Sequence, residues 1–116
     1  MGFCLHGISD CDTVKKARAW LDAAGVAYAF HDYNTAGVPE AELTGWVDRL
    51  GWEALLNRAG TTFRRLPDSA THSLDTGRAV ALMLAHPSTI RRPVLTAGDT
   101  LLVGFKPERY AHALTP

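Results

Sequence analysis

Residues 3–33 read FCLHGISDCDTVKKARAWLDAAGVAYAFHDY, and the pattern changes twice along this stretch. The first residues form a short apolar run that ends near a glycine, which is typical of a buried strand. From Val14 to Ala24, apolar residues recur at helical spacing, and Gly25 follows at a position where helices commonly end. Residues 26–33 contain Val26 and several aromatic side chains, which favours a second strand. The stretch therefore predicts a right-handed, parallel βαβ unit.

The rest of the chain predicts a helical middle, a hairpin and a closing helix. Three segments carry helical patterns: residues 39–50, the short stretch 51–56 and residues 77–86. Between the second and third of these, a glycine breaks the pattern and residues 64–68 read as a basic loop. Residues 91–95 and 100–103 flank turn residues and predict the two strands of a hairpin, before a last short helix over residues 107–114.

This order of elements predicts an α/β protein with a thioredoxin-like fold. A helical insertion lies between the N-terminal βαβ unit and the C-terminal β-hairpin plus helix. The absence of any repeat, linker or low-complexity segment favours a single domain over residues 1–116, a length that suits one domain.

Composition and charge exclude several classes of function. Twelve basic residues balance twelve acidic ones, which argues against a direct nucleic-acid partner or binding to an anionic membrane. No apolar stretch is long enough to span a bilayer, and the N-terminus lacks the pattern of a signal peptide, so we expect a cytoplasmic protein. The two cysteines and five histidines show no metal-ligand spacing, so we expect no metal site.

Cys11 is the candidate catalytic residue. It lies between a predicted strand end and a predicted helix start, where free backbone N–H groups favour an anionic thiolate, the nucleophilic form of cysteine. Lys15, one helical turn further on, adds positive charge, whereas Asp10 and Asp12 act in the opposite direction. Position alone leaves two interpretations open, a reactive thiol and a neutral small residue beside a helix cap.

Cys4 and His6 are interpreted more conservatively. Cys4 lies in the apolar strand, which favours a buried and inert thiol, and pairing with Cys11 is not expected. His6 is interpreted either as a proton carrier or, more simply, as a packed histidine. The third residue after Cys11 is Val14, so there is no C-x-x-C motif, and an external thiol would have to resolve any intermediate formed on Cys11.

Arg92 and Pro93 form the second candidate feature. Guanidinium groups bind tetrahedral oxyanions and carboxylates through two aligned donors, so Arg92 is a candidate anion-binding residue. Pro93 is a candidate for a cis peptide bond that holds the preceding backbone against the thiol. The alternative is a solvated arginine pair before an edge strand. Arg58 is a further candidate for the anion-binding role.

Seven separated blocks of sequence resemble the arsenate reductase family. They occur in the expected order over nearly the whole chain: residues 10–18 (DCDTVKKAR), 20–21 (WL), 31–33 (HDY), 51–57 (GWEALLN), 60–64 (GTTFR), 91–95 (RRPVL) and 103–105 (VGF). The chain is most similar to the YffB-like branch of this family, which stands beside the arsenate reductases proper and the Spx transcription regulators. The resemblance supports the thioredoxin-like fold.

The resemblance implies an oxidoreductase with a redox-active cysteine. By position, Cys11 is the nucleophile, Lys15 the basic helix residue behind it and Arg92 an anion-binding arginine. Thr13 belongs to the same matched motif as Cys11. No tightly bound cofactor is implied. Glutathione is the implied co-substrate, and glutaredoxin is a further implied partner.

The chain departs from the family pattern at three positions. Where the reductases carry further arginines, this chain has Asn57, with Arg58 next to it, and either Phe105 or Lys106. Gly7 stands where the reductases carry a histidine. Each charged hydrogen bond is worth roughly 1.5–3 kcal/mol, so the loss of guanidinium contacts weakens a site for a tetrahedral anion such as arsenate.

Three functional hypotheses follow. The first is a glutathione-dependent thiol reductase that acts on another electrophile or a mixed disulfide, with Arg92, Lys15, Thr13, Arg58 and Lys106 as candidate substrate-binding residues. The second is an Spx-like regulator that binds RNA polymerase, although the missing C-x-x-C switch counts against it. The third is a catalytically inactive interaction domain, which predicts an ordinary Cys11 thiol.

Overall fold

The computed structural model describes residues 2–114, and the contacts between residues divide the chain into two compact units. The first unit contains residues 2–36 and 92–114, and the second contains residues 37–91. The outermost residues of the predicted domain lie outside the described part: Met1, Thr115 and Pro116. The prediction that residues 1–116 form a single domain stays a prediction.

Four strands and eight α-helices make up the described chain. In order, they are β1 (Phe3–Gly7), α1 (Asp12–Ala23), β2 (Tyr28–Asp32), α2 (Tyr33–Ala36), α3 (Glu40–Leu50), α4 (Trp52–Leu55), α5 (Thr61–Arg65), α6 (Asp68–Thr71), α7 (Thr76–Ala85), β3 (Val94–Ala97), β4 (Thr100–Val103) and α8 (Pro107–Leu114). A 3-10 turn over Pro87–Thr89 follows α7.

The strands form one mixed sheet in the spatial order β2-β1-β3-β4. Strand β1 is parallel to β2 and antiparallel to β3, and β3 is antiparallel to β4. The predicted α/β layout of a βαβ unit, a helical insertion, a hairpin and a last helix is therefore confirmed.

Helix α1 covers one face of the sheet because its apolar residues recur every three or four positions. Val14, Ala17 and Leu21 are completely buried and form a core cluster with Leu5 of β1, Leu95 of β3 and Tyr110 of α8. The chain leaves the helix at Gly25, whose φ of 73° lies in the left-handed region that glycine adopts without strain.

Two strands have bounds that differ from those predicted, since β2 spans Tyr28–Asp32 instead of residues 26–33 and β3 spans Val94–Ala97 instead of residues 91–95. Strand β2 starts at Tyr28 rather than Val26 because the backbone N–H of Val26 donates to Leu21 at the end of α1. Strand β3 starts at Val94 rather than Arg91, since Pro93 has no N–H to offer the ladder.

The second unit is helical. The amphipathic helix α3 buries Leu43, Trp46 and Val47, and α7 buries Ala79, Leu82 and Met83. The predicted basic loop over residues 64–68 is wrong in part, because α5 includes Arg64 and Arg65 and α6 starts at Asp68. Gly60 and Pro67 have extended backbones and precede these short helices as N-caps. Within residues 2–114, no helix combines the length and apolar character needed to cross a bilayer.

Tyr110 has a buried hydroxyl for which the described part of the chain provides no hydrogen-bond partner. Its ring packs edge-on against Phe105 and Trp20, and burial raises the pKa of the phenol although Arg109 opposes this. Removing an unsatisfied buried hydroxyl recovers its desolvation penalty. We therefore expect Tyr110→Phe to raise the free energy of unfolding by about 1 kcal/mol.

Tyr28 supplies the matched control for this prediction. Its hydroxyl accepts a hydrogen bond of 3.1 Å from Nε of Arg18, so Tyr28→Phe is expected to lower the free energy of unfolding by about 1 kcal/mol. Urea unfolding of the two variants measures both effects. A loss of stability in Tyr110→Phe as large as that in Tyr28→Phe would contradict the prediction.

Candidate active site

Cys11 lies where the chain turns from β1 into α1. Its backbone N–H donates to Ile8 at 3.1 Å, and its carbonyl accepts the N–H of Lys15 at 2.9 Å, which begins the helix. With φ −75° and ψ 125°, Cys11 is the extended N-cap residue of α1. The thiol is partly exposed at a helix N-terminus, where backbone N–H groups without intrahelical acceptors favour a negative charge.

Sheet topology brings Arg92 to Cys11. Because β1 and β3 are antiparallel, with His6 opposite Val94, the start of β3 lies beside the end of β1. The guanidinium of Arg92 forms a hydrogen bond with the Cys11 sulfur and adds its positive charge. Pro93, the candidate cis-proline, follows Arg92 through a cis peptide bond.

Several groups act on the pKa of Cys11 in opposite directions. Burial of the sulfur has the largest single effect and raises the pKa. The backbone N–H of Val14, the hydrogen bond and charge of Arg92, and the backbone N–H of Thr13 all lower it. Together the lowering groups prevail, and the pKa lies below its ordinary value. The two neighbouring carboxylates, Asp10 and Asp12, therefore do not cancel the lowering of the Cys11 pKa, which the sequence alone did not decide.

The lowered pKa of Cys11 makes protein stability depend on pH. In the unfolded chain the thiol has its ordinary pKa of about 8.5. Because the folded pKa is lower, the thiolate contributes stability that is fully present above about pH 8.5 and is lost as the pH falls through the folded pKa. We expect Cys11→Ser to abolish this contribution. Urea midpoints of Cys4→Ser and Cys4→Ser/Cys11→Ser, compared from about pH 6 to pH 9, measure it. A difference between the two proteins that does not change with pH would contradict it.

The other predicted substrate-binding residues occupy different positions. Thr13 is exposed and acts on Cys11 through its backbone N–H. Lys15 and Lys106 are exposed and are not among the groups that lower the pKa of Cys11. Arg58 belongs to the second unit, where its guanidinium lies over the Trp52 ring at 5.5 Å.

Two features of the site were not predicted from the sequence. One is the identity of Val14 as a donor, because the sequence predicted free backbone N–H groups at the helix start without naming this residue. The other is the close approach of Gly7 to Val14, because a Cβ atom built on Gly7 would lie 2.7 Å from Cγ2 of Val14. Within the described residues, neither Cys4 nor Cys11 forms a disulfide bond. Across the described part of the chain, no group of three or more His, Cys, Asp or Glu side chains could hold a metal ion.

Known proteins match the part of the chain that contains this site. The profile of the ArsC family matches residues 6–113, a range that includes the Cys11 loop and Arg92. The chain belongs to the ArsC family. Among ArsC-related solved structures, a YffB protein has 53% sequence identity and a TM-score of 0.94, covering 97% of this chain and 99% of the other. An arsenate reductase (ArsC) related protein from Brucella melitensis has 47% identity and a TM-score of 0.77, covering 97% and 93%.

Two further proteins are similar to this chain in sequence. A protein from Haemophilus influenzae is 35% identical over 109 residues, which is 94% of this chain and 96% of the relative. The global transcriptional regulator Spx from Streptococcus mutans is 27% identical over 97 residues, which is 82% of this chain and 70% of the regulator. The chain is therefore similar both to a protein named as related to arsenate reductase and to a protein named as a transcriptional regulator.

Proposed function

We propose that this ArsC-family protein is a glutathione-dependent thiol reductase in which Cys11 is the nucleophile and Arg92 binds the anionic part of the substrate. The observation that carries the proposal is the contact between the Cys11 sulfur and the Arg92 guanidinium at the N-terminus of α1. A lowered pKa increases the fraction of the nucleophilic thiolate, and a guanidinium beside the sulfur attracts an anionic substrate.

The reaction needs an external thiol. Position 14 is Val14, so no second cysteine stands three residues after Cys11. With a glutathione mixed disulfide as substrate, the Cys11 thiolate attacks the glutathione sulfur, the S–S bond breaks and the substrate leaves as a thiol. A second glutathione then attacks the Cys11 adduct, which releases glutathione disulfide and restores the thiolate.

The arrangement favours a mixed disulfide over arsenate. A tetrahedral trianion requires several charged donors, and within the described first unit Arg92 is the basic side chain that acts on Cys11. One guanidinium is sufficient to bind a single carboxylate, such as those of glutathione. Lys15, Thr13, Arg58 and Lys106 remain secondary candidates for substrate binding. Glutaredoxin as a second partner and a cytoplasmic location are parts of the same proposal.

A coupled assay tests the proposal. The protein is incubated with glutathione, glutathione reductase, NADPH and the mixed disulfide of glutathione with 2-mercaptoethanol, and NADPH oxidation is followed. Turnover in the wild type, its loss in Cys11→Ser and, in a Cys4→Ser background, a glutathionyl adduct on Cys11 by intact mass are expected. Arsenate is tested in parallel as the alternative substrate. Equal rates in the wild type and Cys11→Ser for every substrate would refute the proposal.

A regulatory role is the second candidate, because Spx regulators align with most of the chain. It predicts that the protein binds RNA polymerase, as expected for an Spx-like regulator. Capture of polymerase subunits by purified protein, without turnover in the coupled assay, would favour that role. An inactive interaction domain predicts an ordinary Cys11 thiol, which the contacts of Val14 and Arg92 with the sulfur disfavour.

A further inference from the structure

A second thiol, Cys4, lies beside a histidine on the central strand β1. The distance between Sγ of Cys4 and Nε2 of His6 is 3.5 Å, which is within hydrogen-bond range for sulfur. Side chains alternate along a strand, so Cys4 and His6 share one face while Leu5 between them enters the core on the other. Both residues belong to the first unit.

The backbone of β3 fixes where the proton of His6 lies. Nδ1 of His6 is 3.1 Å from the carbonyl oxygen of Val94, and a carbonyl can only accept a hydrogen bond. Nδ1 of the neutral ring therefore carries the hydrogen, and Nε2 presents its lone pair to the Cys4 thiol. Nucleophile, base and orienting group are thus present in the arrangement that activates thiols in other proteins.

The two side chains differ in exposure in a way that suits this chemistry. His6 is only 3% exposed, so its ring is held in place, whereas Cys4 is partly exposed. The predicted burial of Cys4 is therefore wrong in part, because the residue is only partly buried. The register places Ala29 and Thr96 beside Cys4, and Ala29 is itself exposed. Short neighbours leave the sulfur accessible to a small reagent.

Two titratable side chains, His31 and Tyr33, lie in a row from His6. His31 of β2 lies opposite His6, with ring centroids 5.4 Å apart, and the Tyr33 ring lies 6.0 Å beyond His31. On the β3 side, the register partners Val94 and Thr96 carry no charge. When His6 takes up a proton, the Val94 carbonyl still accepts from Nδ1 and stabilises the imidazolium.

We propose that Cys4 is a second reactive thiol, activated by His6, and that it forms a mixed disulfide with low-molecular-weight disulfides such as glutathione disulfide. The Cys4 proton passes to Nε2 of His6, and the thiolate attacks one sulfur of the disulfide. The S–S bond of the reagent breaks, a new S–S bond forms on Cys4, and the other half leaves as a thiolate that takes up a proton. The Cys4 sulfur is oxidised and the reagent supplies the oxidising equivalents. The step does not involve Cys11.

The experiment uses the full chain with Cys11→Ser, so its outcome is independent of the proposed reductase function. Glutathione disulfide is added and the adduct on Cys4 is followed by intact mass from about pH 6 to pH 10, with Cys4→Ser/Cys11→Ser as the blank. We expect the adduct at pH 7 to form at least about tenfold faster than in Cys11→Ser/His6→Asn. The two rates should converge at about pH 10, where the thiol ionises without a base.

This convergence separates activation from unfolding, because an unfolded variant would expose Cys4 at every pH. Nitrogen-15 NMR of the imidazoles in folded Cys11→Ser gives a second readout, with His6 expected as the Nδ1–H tautomer. Absence of an adduct, a rate independent of His6, or the Nε2–H tautomer would each overturn the proposal.

Discussion

Replacing Arg92 with alanine is expected to slow the alkylation of Cys11 by iodoacetamide at pH 7 by about three- to tenfold. A charge-assisted hydrogen bond at the low end of its range, about 1.5 kcal/mol, corresponds to about a tenfold change in the thiolate fraction. The greater intrinsic nucleophilicity of a less acidic thiol offsets part of this change. Intact mass in a Cys4→Ser background gives the rate, and the midpoint of the pH–rate profile should move upward.

The neighbouring Arg91 provides a matched control. It is exposed, its backbone N–H donates to Leu55 in the second unit, and it is not among the groups that act on Cys11. Arg91→Ala removes the same charge one residue away and should leave the pH–rate profile unchanged. Equal profiles for Arg92→Ala and the parent, or equal effects of the two substitutions, would show that Arg92 does not activate the thiol.

Gly7→Ala is expected to lower the free energy of unfolding by about 1–3 kcal/mol, the usual cost of overpacking a core. The added methyl group would lie 2.7 Å from Cγ2 of Val14, which is completely buried and, being β-branched, has few alternative rotamers. Urea unfolding gives the free energy.

Two further variants make this prediction specific. In a Val14→Ala background the Cγ atoms are absent, so the added cost of Gly7→Ala should nearly disappear. Gly45, in the middle of α3, has no atom within 4 Å of its built Cβ. Gly45→Ala should therefore raise the free energy of unfolding by about 0.5–1 kcal/mol. Equal destabilisation by Gly7→Ala with and without the Val14 side chain would rule out the steric explanation.

Much of the fold could be predicted because its signals are local. The periodicity of residues 3–33 identifies β1, α1 and β2, and the turn residues before Thr100 identify the hairpin. The short helices α5 and α6 escaped prediction because they contain no fully buried residue, and with only four or five residues they show no clear apolar periodicity.

The site was predictable in part because some of its signals are also local in the sequence. The position of Cys11 before a helix is visible in the sequence, and a guanidinium is a natural partner for an anion. The net direction of its pKa is not visible, because it depends on how far the sulfur is buried and on the contact with Arg92 across β1 and β3. The Cys4–His6 pair was missed because its hydrogen-bonding state is fixed by a carbonyl of β3, far away in sequence.

The antiparallel pairing of β1 with β3 also links the chemistry of Cys11 to the folding reaction. Arg92 acts on the thiol because β1 and β3 pair, so a partly folded chain that lacks β3 also lacks the lowering effect of Arg92 on the Cys11 pKa. The full lowering of the Cys11 pKa is thus reached only when β3 has paired with β1.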